Sequence, residues 1–227
     1  MKKTRNSGFT LIEVSIAVVL IVIVSTSAIA SLRIGMKAMH GTEVAANAAI
    51  AIATVEAFVG VKLDEDLVRS AFGKVSSPGR LEILHRDPTV IVDAAHNPHG
   101  ASALAETLRS EFDFESILCV LGILGEKDAR GVLMALEPVV DRLVVTKSDS
   151  PRALPVSELF EAAVAVFGID RVFKEEDLNS AITYAMEQVT LINQVSEGVS
   201  AVVITGSVVT AGSARVIVRK IGRAEEA

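Results

Sequence analysis

Short apolar segments alternate with segments of helical length from Gly79 onward, and this rhythm constrains the fold more than any other feature. The predicted strands are 81–85, 89–93, 116–123, 142–146, 171–173, 201–205 and 215–218, and the predicted helices are 98–112, 128–140, 155–167 and 178–189. Short apolar strands separated by helices are typical of a parallel sheet that is covered on both faces. We therefore predict an α/β fold of doubly wound type, with a mostly parallel sheet.

The first 32 residues have a different character from the rest of the chain. A basic head containing Lys2, Lys3 and Arg5 precedes residues 14–32, which carry no charge. At about 1.5 Å per residue, such a helix would be roughly 28 Å long, close to the hydrocarbon thickness of a bilayer. We therefore predict an N-terminal hydrophobic helix that contacts the membrane through residues 14–32.

The residues just before this apolar segment resemble the signal of type IV prepilins and pseudopilins. The stretch is Gly8-Phe9-Thr10-Leu11-Ile12-Glu13, and its small residue precedes the apolar core, whereas a secretory signal has its cleavage site after the core. The resemblance implies cleavage after Gly8, methylation of the new terminus at Phe9, and a role for Glu13 in subunit assembly. An ordinary membrane anchor is the alternative. In either case the basic head would leave the bulk of a single-pass inner-membrane protein outside the cytoplasm.

The segment between the apolar head and the predicted sheet reads as helical. Residues 43–58 are rich in alanine, residues 67–72 form a second short helix, and Ser76-Ser77-Pro78-Gly79 interrupts the pattern. The expected organisation is a hydrophobic helix (1–32), a helical segment with a linker (33–78), an α/β domain (79–221) and a tail (222–227).

Composition excludes several classes of function. The net charge of −6, the single Tyr and the absence of Trp argue against a nucleic-acid-binding surface. The single Cys119 cannot form an intramolecular disulfide. His96 and His99 have no third ligand nearby in the sequence, so no metal site is expected.

Asp93 and His96 are the candidate site residues that the pattern itself indicates. In open α/β sheets, ligands bind at the carboxyl ends of the strands, and Asp93 ends a predicted strand just before a helix. There a carboxylate can accept hydrogen bonds from sugar hydroxyls, and His96 can donate to an anionic group beside the helix N-terminus. The alternative is structural, with Asp93 as a helix cap and His96 as a hydrogen-bonded support.

Several motifs together resemble folylpolyglutamate synthase/dihydrofolate synthase, in the Mur ligase superfamily. They are Pro78-Gly79-Arg80, Val92-Asp93-Ala94-Ala95-His96-Asn97-Pro98, Glu126-Lys127-Asp128, Ser150-Pro151-Arg152-Ala153 and Thr205-Gly206-Ser207. The resemblance runs from about residue 42 to 219 and implies a Mur ligase C-terminal-like domain. It also implies a cytoplasmic, ATP-dependent ligase that adds L-glutamate to folate through an acyl phosphate.

The same resemblance implies which residues bind ATP. Asn47 matches the family's adenine contact, Arg80 its nucleotide-binding arginine and Asp93 its ribose ligand, while His96 would make an auxiliary contact to substrate or phosphate. The 227 residues contain no Gly-x-x-x-x-Gly-Lys-Ser/Thr phosphate loop. The family's Mg²⁺ ligands belong to the ATPase domain that carries this loop.

We therefore expect the chain alone neither to hydrolyse ATP nor to extend folate. By the same resemblance, the helix within residues 33–78 is a remnant of the ATPase domain. The rest of that domain would come from another domain or a partner chain, for which exposed Ile50, Ile52 and Val55 would supply an apolar surface.

Three hypotheses follow for the whole chain. The preferred one is the C-terminal part of a folate ligase joined to a pilin-like start. The others are a membrane-anchored module that binds a nucleotide or folate, and a pseudopilin-like assembly protein.

Overall fold

The computed structural model describes residues 42–74 and 78–225, which belong to two compact units that divide between Ser77 and Pro78. The predicted hydrophobic helix at 14–32 and the signal residues Gly8, Phe9 and Glu13 lie outside the described residues. Within the described ranges, no helix has both the length and the apolar character that crossing a bilayer requires.

The first unit contributes two helices, α1 (Thr42–Val59) and α2 (Glu65–Lys74). Asp64 caps α2, because its carboxylate accepts hydrogen bonds from the amides of Asp66 and Leu67 at 3.0 Å. Ile50 on α1 is 51% exposed and Val55 is 37% exposed, whereas Ile52 is half-buried. The expected apolar surface on α1 is therefore present at two of its three positions.

The second unit is built on one six-stranded sheet in the order β1-β2-β6-β3-β4-β5. Only β1 runs antiparallel to its neighbour; the other strands are parallel. The strands are β1 (Glu82–Arg86), β2 (Thr89–Val92), β3 (Ser116–Leu121), β4 (Arg142–Val145), β5 (Val172–Lys174) and β6 (Ser200–Thr205). The helices are α3 (Pro98–Glu111), α4 (Ala129–Leu136), α5 (Val156–Phe167), α6 (Leu178–Val195) and α7 (Val208–Glu225), with a 3₁₀ turn at Ile169–Arg171.

Successive strand residues point to opposite faces of the sheet, which divides the core into two layers. In β3, Ile117 and Cys119 pack with α3, α4 and α5, whereas Leu118 and Val120 pack with α6 and α7. Burial raises the pKa of the Cys119 thiol to about 12. Both faces are covered, so the predicted doubly wound α/β fold is confirmed.

The prediction of a strand at 215–218 was wrong, because these residues lie inside α7. The β-branched pair Val216 and Ile217 suggested a strand. The segment is instead helical, and its burial follows helical spacing. Ala211, Ala214 and Val218 are buried on one face of α7, whereas Val216 is 71% exposed. The helix also continues through residues 222–225, which were expected to form a tail.

The sheet order places β6 between β2 and β3, and this reverses the direction in which the chain crosses the sheet. Helices α3, α4 and α5 lie on one face, and the return from β5 to β6 passes through α6 on the other face. The carboxyl ends of β2, β6 and β3 consequently meet at one edge, where doubly wound sheets bind their ligands. We call this the carboxyl edge, and the opposite end of the strands the amino edge.

Candidate functional site

Two segments that follow parallel strands are joined directly at the carboxyl edge. The segment after β2 contains Ala95, and the segment after β6 contains Gly206. The Gly206 amide donates to the Ala95 carbonyl at 3.0 Å, and the Thr205 hydroxyl donates to the same carbonyl at 3.3 Å. The predicted site segment at 93–98 is thus fixed to the Thr205-Gly206-Ser207 motif.

Asp93 lies at the end of β2 and is only 6% exposed. Its carboxylate accepts hydrogen bonds from the amides of Leu81 at 3.0 Å and Ala95 at 2.8 Å. Burial raises the pKa of Asp93, while the two amide hydrogen bonds and the nearby Arg80 and His96 oppose that rise. Each carboxylate oxygen retains acceptor capacity beyond its single amide donor, so Asp93 can also receive a hydroxyl from a ligand.

Arg80 lies in a tight turn that the chain forms just before β1. Gly79 has a φ of 72° and Leu81 a φ of 43°, so the residues on both sides of Arg80 adopt left-handed backbone conformations. The Gly79 carbonyl accepts a hydrogen bond from the Ala94 amide at 2.8 Å, which ties the turn to the segment after β2. Among residues 78–225, the Arg80 guanidinium has no hydrogen-bond or ion-pair partner, so its donors remain available to an anion.

His96 and Asn97 form the entry to α3. The His96 Nδ1 atom lies 2.9 Å from the Ala94 carbonyl, and because a carbonyl only accepts, Nδ1 carries the proton. Neutral His96 therefore presents Nε2 as an acceptor, and protonated His96 presents it as a donor. Asn97 caps the helix by accepting from the Gly100 amide at 2.8 Å, and Pro98 occupies the first turn.

A hydrogen-bonded network of small polar residues links the segments that follow β3, β4 and β6 at the carboxyl edge. The Thr210 hydroxyl donates to the Gly122 carbonyl at 2.7 Å and lies 2.8 Å from the Ser207 hydroxyl, which lies 3.2 Å from that of Ser148. Gly206 has a φ of 111°, and a Cβ there would lie 2.6 Å from the Gly122 carbonyl oxygen. The motif Thr205-Gly206-Ser207 entered the sequence analysis only as part of the family resemblance, and the close approach of two backbones explains its glycine.

Two further motifs meet at the same edge. Arg152 forms an exposed ion pair with Glu126 at 3.1 Å, and its carbonyl accepts from the Gly125 amide at 2.8 Å. The Glu126-Lys127-Asp128 and Ser150-Pro151-Arg152-Ala153 stretches are therefore neighbours. Beside them, a cleft of about 520 Å³ opens between the segments that follow β4 and β5, with Lys147, Asp149 and Glu176 in its lining.

The structure brings three of the predicted site residues, Arg80, Asp93 and His96, to one place, whereas Asn47 lies in α1 of the other unit. No set of three or more His, Cys, Asp or Glu side chains within the described residues could hold a metal ion. The residues present at this edge fit a nucleotide, because the buried Asp93 carboxylate can accept a hydroxyl and the Arg80 guanidinium has no hydrogen-bond or ion-pair partner among residues 78–225. The described residues there do not fit a metal. Sequence reasoning missed Glu82, whose carboxylate accepts a hydrogen bond from the Gly79 amide at 2.7 Å.

Comparison with known proteins adds two family matches. The model described as "Mur ligase, glutamate ligase domain" matches residues 79–208, and the model described as "Prokaryotic N-terminal methylation motif" matches residues 3–29. These matches agree with the two resemblances inferred from the sequence.

Individual relatives agree with the larger match. The dihydrofolate synthase/folylpolyglutamate synthase of Mycobacterium tuberculosis is 50% identical over 192 residues, which cover 79% of this chain and 39% of that protein. A structure of the M. tuberculosis folylpolyglutamate synthase complexed with ADP and AMPPCP superposes with a TM-score of 0.75 at 53% identity, over 79% of this chain and 40% of that one.

A more distant structure, Escherichia coli FolC in complex with DHPP and ADP, has a TM-score of 0.63 at 26% identity, over 80% of this chain and 39% of that one. The chain thus spans about two fifths of the length of these relatives. Because the matched domain covers more than half of this chain, the chain belongs to the Mur ligase family and carries that family's glutamate ligase domain.

Proposed function

We propose that residues 78–225 form the C-terminal part of an ATP-dependent ligase that joins L-glutamate to folate through an acyl phosphate. The observation that carries this proposal is the convergence of Arg80, Asp93 and His96 at the carboxyl edge, where Arg80 has no hydrogen-bond or ion-pair partner among residues 78–225. The relatives complexed with ADP support a nucleotide as the ligand. In this proposal the ligase region acts in the cytoplasm, where ATP and folate are available.

Each residue has a chemical role in this proposal. The Arg80 guanidinium contacts the phosphate oxygens of the nucleotide, because its fixed array of donors matches their geometry. Asp93 accepts hydrogen bonds from the ribose hydroxyls. His96 makes an auxiliary contact to the acyl substrate or phosphate through Nε2, since Nδ1 is occupied by Ala94. The family resemblance assigns the adenine contact to Asn47.

We further propose that these 227 residues do not complete the reaction without a phosphate-loop domain, supplied elsewhere in a longer protein or by a partner. Phosphoryl transfer depends on a phosphate loop and Mg²⁺, and the sequence contains no such loop. The described residues offer no Mg²⁺ ligand cluster, so no step through the metal is assigned to them. The exposed apolar residues of α1 would contact the missing domain.

Calorimetric titration of ADP tests the nucleotide site. The full chain should be kept in mild detergent because residues 14–32 are uncharged. Arg80→Ala should weaken ADP binding about tenfold, the loss expected for one charged hydrogen bond. Arg171→Ala is the matched control, since Arg171 lies at the amino edge, and it should leave binding unchanged. Equal affinities for wild type and Arg80→Ala would refute the assignment.

A turnover assay tests the need for a second domain. With radiolabelled glutamate, ATP, Mg²⁺ and a reduced folate, the purified chain should form no labelled folate product. Turnover by the purified chain would contradict the proposal. Product formed only after addition of a phosphate-loop domain from a related ligase would support it.

The match at residues 3–29 favours a second candidate function, export and assembly as a pseudopilin-like protein. In that case Gly8 would be the cleavage site, Phe9 the methylated new terminus and Glu13 the assembly carboxylate, with the chain in the inner membrane through residues 14–32. Mass spectrometry of the membrane fraction distinguishes the two candidates. A methylated Phe9 on a peptide continuous with residues 33–56 supports export, whereas its absence from all fractions contradicts it.

A further inference from the structure

Glu82, the first residue of β1, contacts three groups on two different parts of the fold. Its Oε2 accepts from the Gly79 amide at 2.7 Å and from Arg215 Nε at 2.7 Å, and its Oε1 accepts from Arg219 at 3.2 Å. The Glu82 side chain is only 11% exposed. Its carboxylate therefore bridges the turn that contains Arg80 and the helix α7.

The turn around Arg80 needs such external support. Leu81 has a positive φ without being glycine, a conformation that costs free energy and persists only where the surroundings enforce it. Gly79 is tied by its amide to Glu82 and by its carbonyl to Ala94, and Leu81 is tied by its amide to Asp93. Both neighbours of Arg80 are therefore fixed, although the Arg80 guanidinium itself has no hydrogen-bond or ion-pair partner among residues 78–225.

On the α7 side, two arginines contact the Glu82 carboxylate. Arg215 and Arg219 are four residues apart, so they share one face of α7 and can reach the same carboxylate. Helix α7 begins directly after Thr205-Gly206-Ser207, which binds the Ala95 carbonyl. The Arg80 turn is thus attached to the segment after β6 by two routes, one through Ala95 and one through Glu82.

We propose that Glu82 is a positioning residue for the nucleotide site, holding Arg80 over its ligand by fixing the Gly79 amide to α7. This proposal rests on the proposed function of Arg80. Glu82 touches no ligand; it acts through the conformation of the turn. Holding the turn fully in place requires a carboxylate at position 82, because this group accepts hydrogen bonds from one amide and two guanidinium groups.

Calorimetry with ADP and amide hydrogen exchange on the full chain in mild detergent test this role together. Glu82→Ala should weaken ADP binding about tenfold. Glu82→Gln should restore most of the affinity, since its amide oxygen can still accept from Gly79 and Arg215. The matched control is Glu137→Ala, which removes an ion pair with Arg171 at the amino edge and should not change binding.

Two outcomes overturn the proposal. One is wild-type affinity in Glu82→Ala, and the other is the same loss of affinity in Glu82→Ala and Glu137→Ala. If Glu82→Ala does not fold, Arg215→Leu replaces it, and this variant should weaken ADP binding about threefold because Arg219 remains. Unchanged affinity in Arg215→Leu contradicts the role.

Hydrogen exchange separates this proposal from the proposed function. If wild type does not bind ADP, the nucleotide assignment fails, but the fixing of the turn is still measurable. The amides of Gly79 and Leu81 should then exchange at least about tenfold faster in Glu82→Ala than in wild type or Glu137→Ala. Unchanged exchange at both amides would show that Glu82 does not fix the turn.

Discussion

The two edges of the sheet use arginine in opposite ways. At the amino edge, Arg171 donates to Glu137 Oε1 and to the carbonyls of Glu137, Val140 and Asp141, and it lies over the Phe167 ring. At the carboxyl edge, Arg80 lies in a turn that is fixed on both sides, but its guanidinium has no hydrogen-bond or ion-pair partner among residues 78–225. The guanidinium of Arg171 is committed to the fold, whereas that of Arg80 is available to a ligand.

The carboxylates at the two edges differ in the same way. Asp141 accepts from the Ile117 amide at 2.7 Å and links the starts of β3 and β4. Asp93 also accepts backbone amides, but it lies beside Arg80 and His96, which are both able to bind an anion. Burial and hydrogen bonding alone therefore do not distinguish a site from the scaffold, whereas a charged neighbour with no hydrogen-bond or ion-pair partner does.

The largest expected effect comes from the backbone contact at the carboxyl edge. Gly206→Ala should lower the free energy of unfolding by about 3 kcal/mol, because the new Cβ would lie against the Gly122 carbonyl and the φ of 111° disfavours any side chain. The control is Gly212→Ala in α7, where nothing lies within 4 Å. It should stabilise by about 0.5 to 1 kcal/mol. Chemical denaturation measures both, and equal effects would contradict the close approach.

A smaller effect is expected from the two arginines. Arg171→Ala should lower the free energy of unfolding by about 1 to 3 kcal/mol, because it leaves several carbonyls at the amino edge without a donor. Arg80→Ala should change it by less than about 0.5 kcal/mol, since Arg80 has no such partner. Thermal or urea unfolding of the two variants decides the comparison. A larger loss of stability in Arg80→Ala than in Arg171→Ala would contradict the structural role of Arg171 and the ligand-binding role of Arg80.

The smallest effects concern the pH dependence of two aspartates at the carboxyl edge. The pKa of Asp93 is raised by burial, so its contribution to stability is full below the unfolded value near 3.8 and is lost as the pH rises through the folded pKa. The pKa of Asp177 is lowered by hydrogen bonds from Ser180, so its contribution is present above the unfolded value and is lost as the pH falls through the folded pKa.

These signs can be checked with Asp93→Asn and Asp177→Asn. As the pH rises above about 3.8, the stability of wild type relative to Asp93→Asn should fall. As the pH falls below about 3.8, the stability of wild type relative to Asp177→Asn should fall instead. Urea unfolding across this range measures both differences, and parallel slopes for the two variants would contradict the assigned environments.

Much of the fold could be predicted from the sequence, because each buried strand is a short apolar run bounded by turns. The error at 215–218 arose where β-branched residues on an amphipathic helix imitate a strand, and only the packing of Ala211 and Ala214 separates the two. The predicted strand ends at Asp93 and β2 ends at Val92, and this difference of one residue still leaves Asp93 at the carboxyl edge.

The site was less predictable than the fold. Asp93 and His96 follow from the position of a strand end, but the nearness of Arg80 depends on the β1–β2 hairpin, which brings Leu81 against Asp93 across 12 positions of sequence. Glu82 could not be found from the sequence, because its partners Arg215 and Arg219 are more than 130 positions away. Contacts that only the folded sheet creates leave no local pattern.

Hydrogen exchange of the full chain with and without ADP would show directly whether a nucleotide binds at the carboxyl edge. If it does, ADP should slow exchange in peptides covering residues 78–96. Peptides covering 109–117 and 137–142 at the amino edge should not change. Protection confined to the amino edge, or no protection at any ADP concentration, would contradict the account.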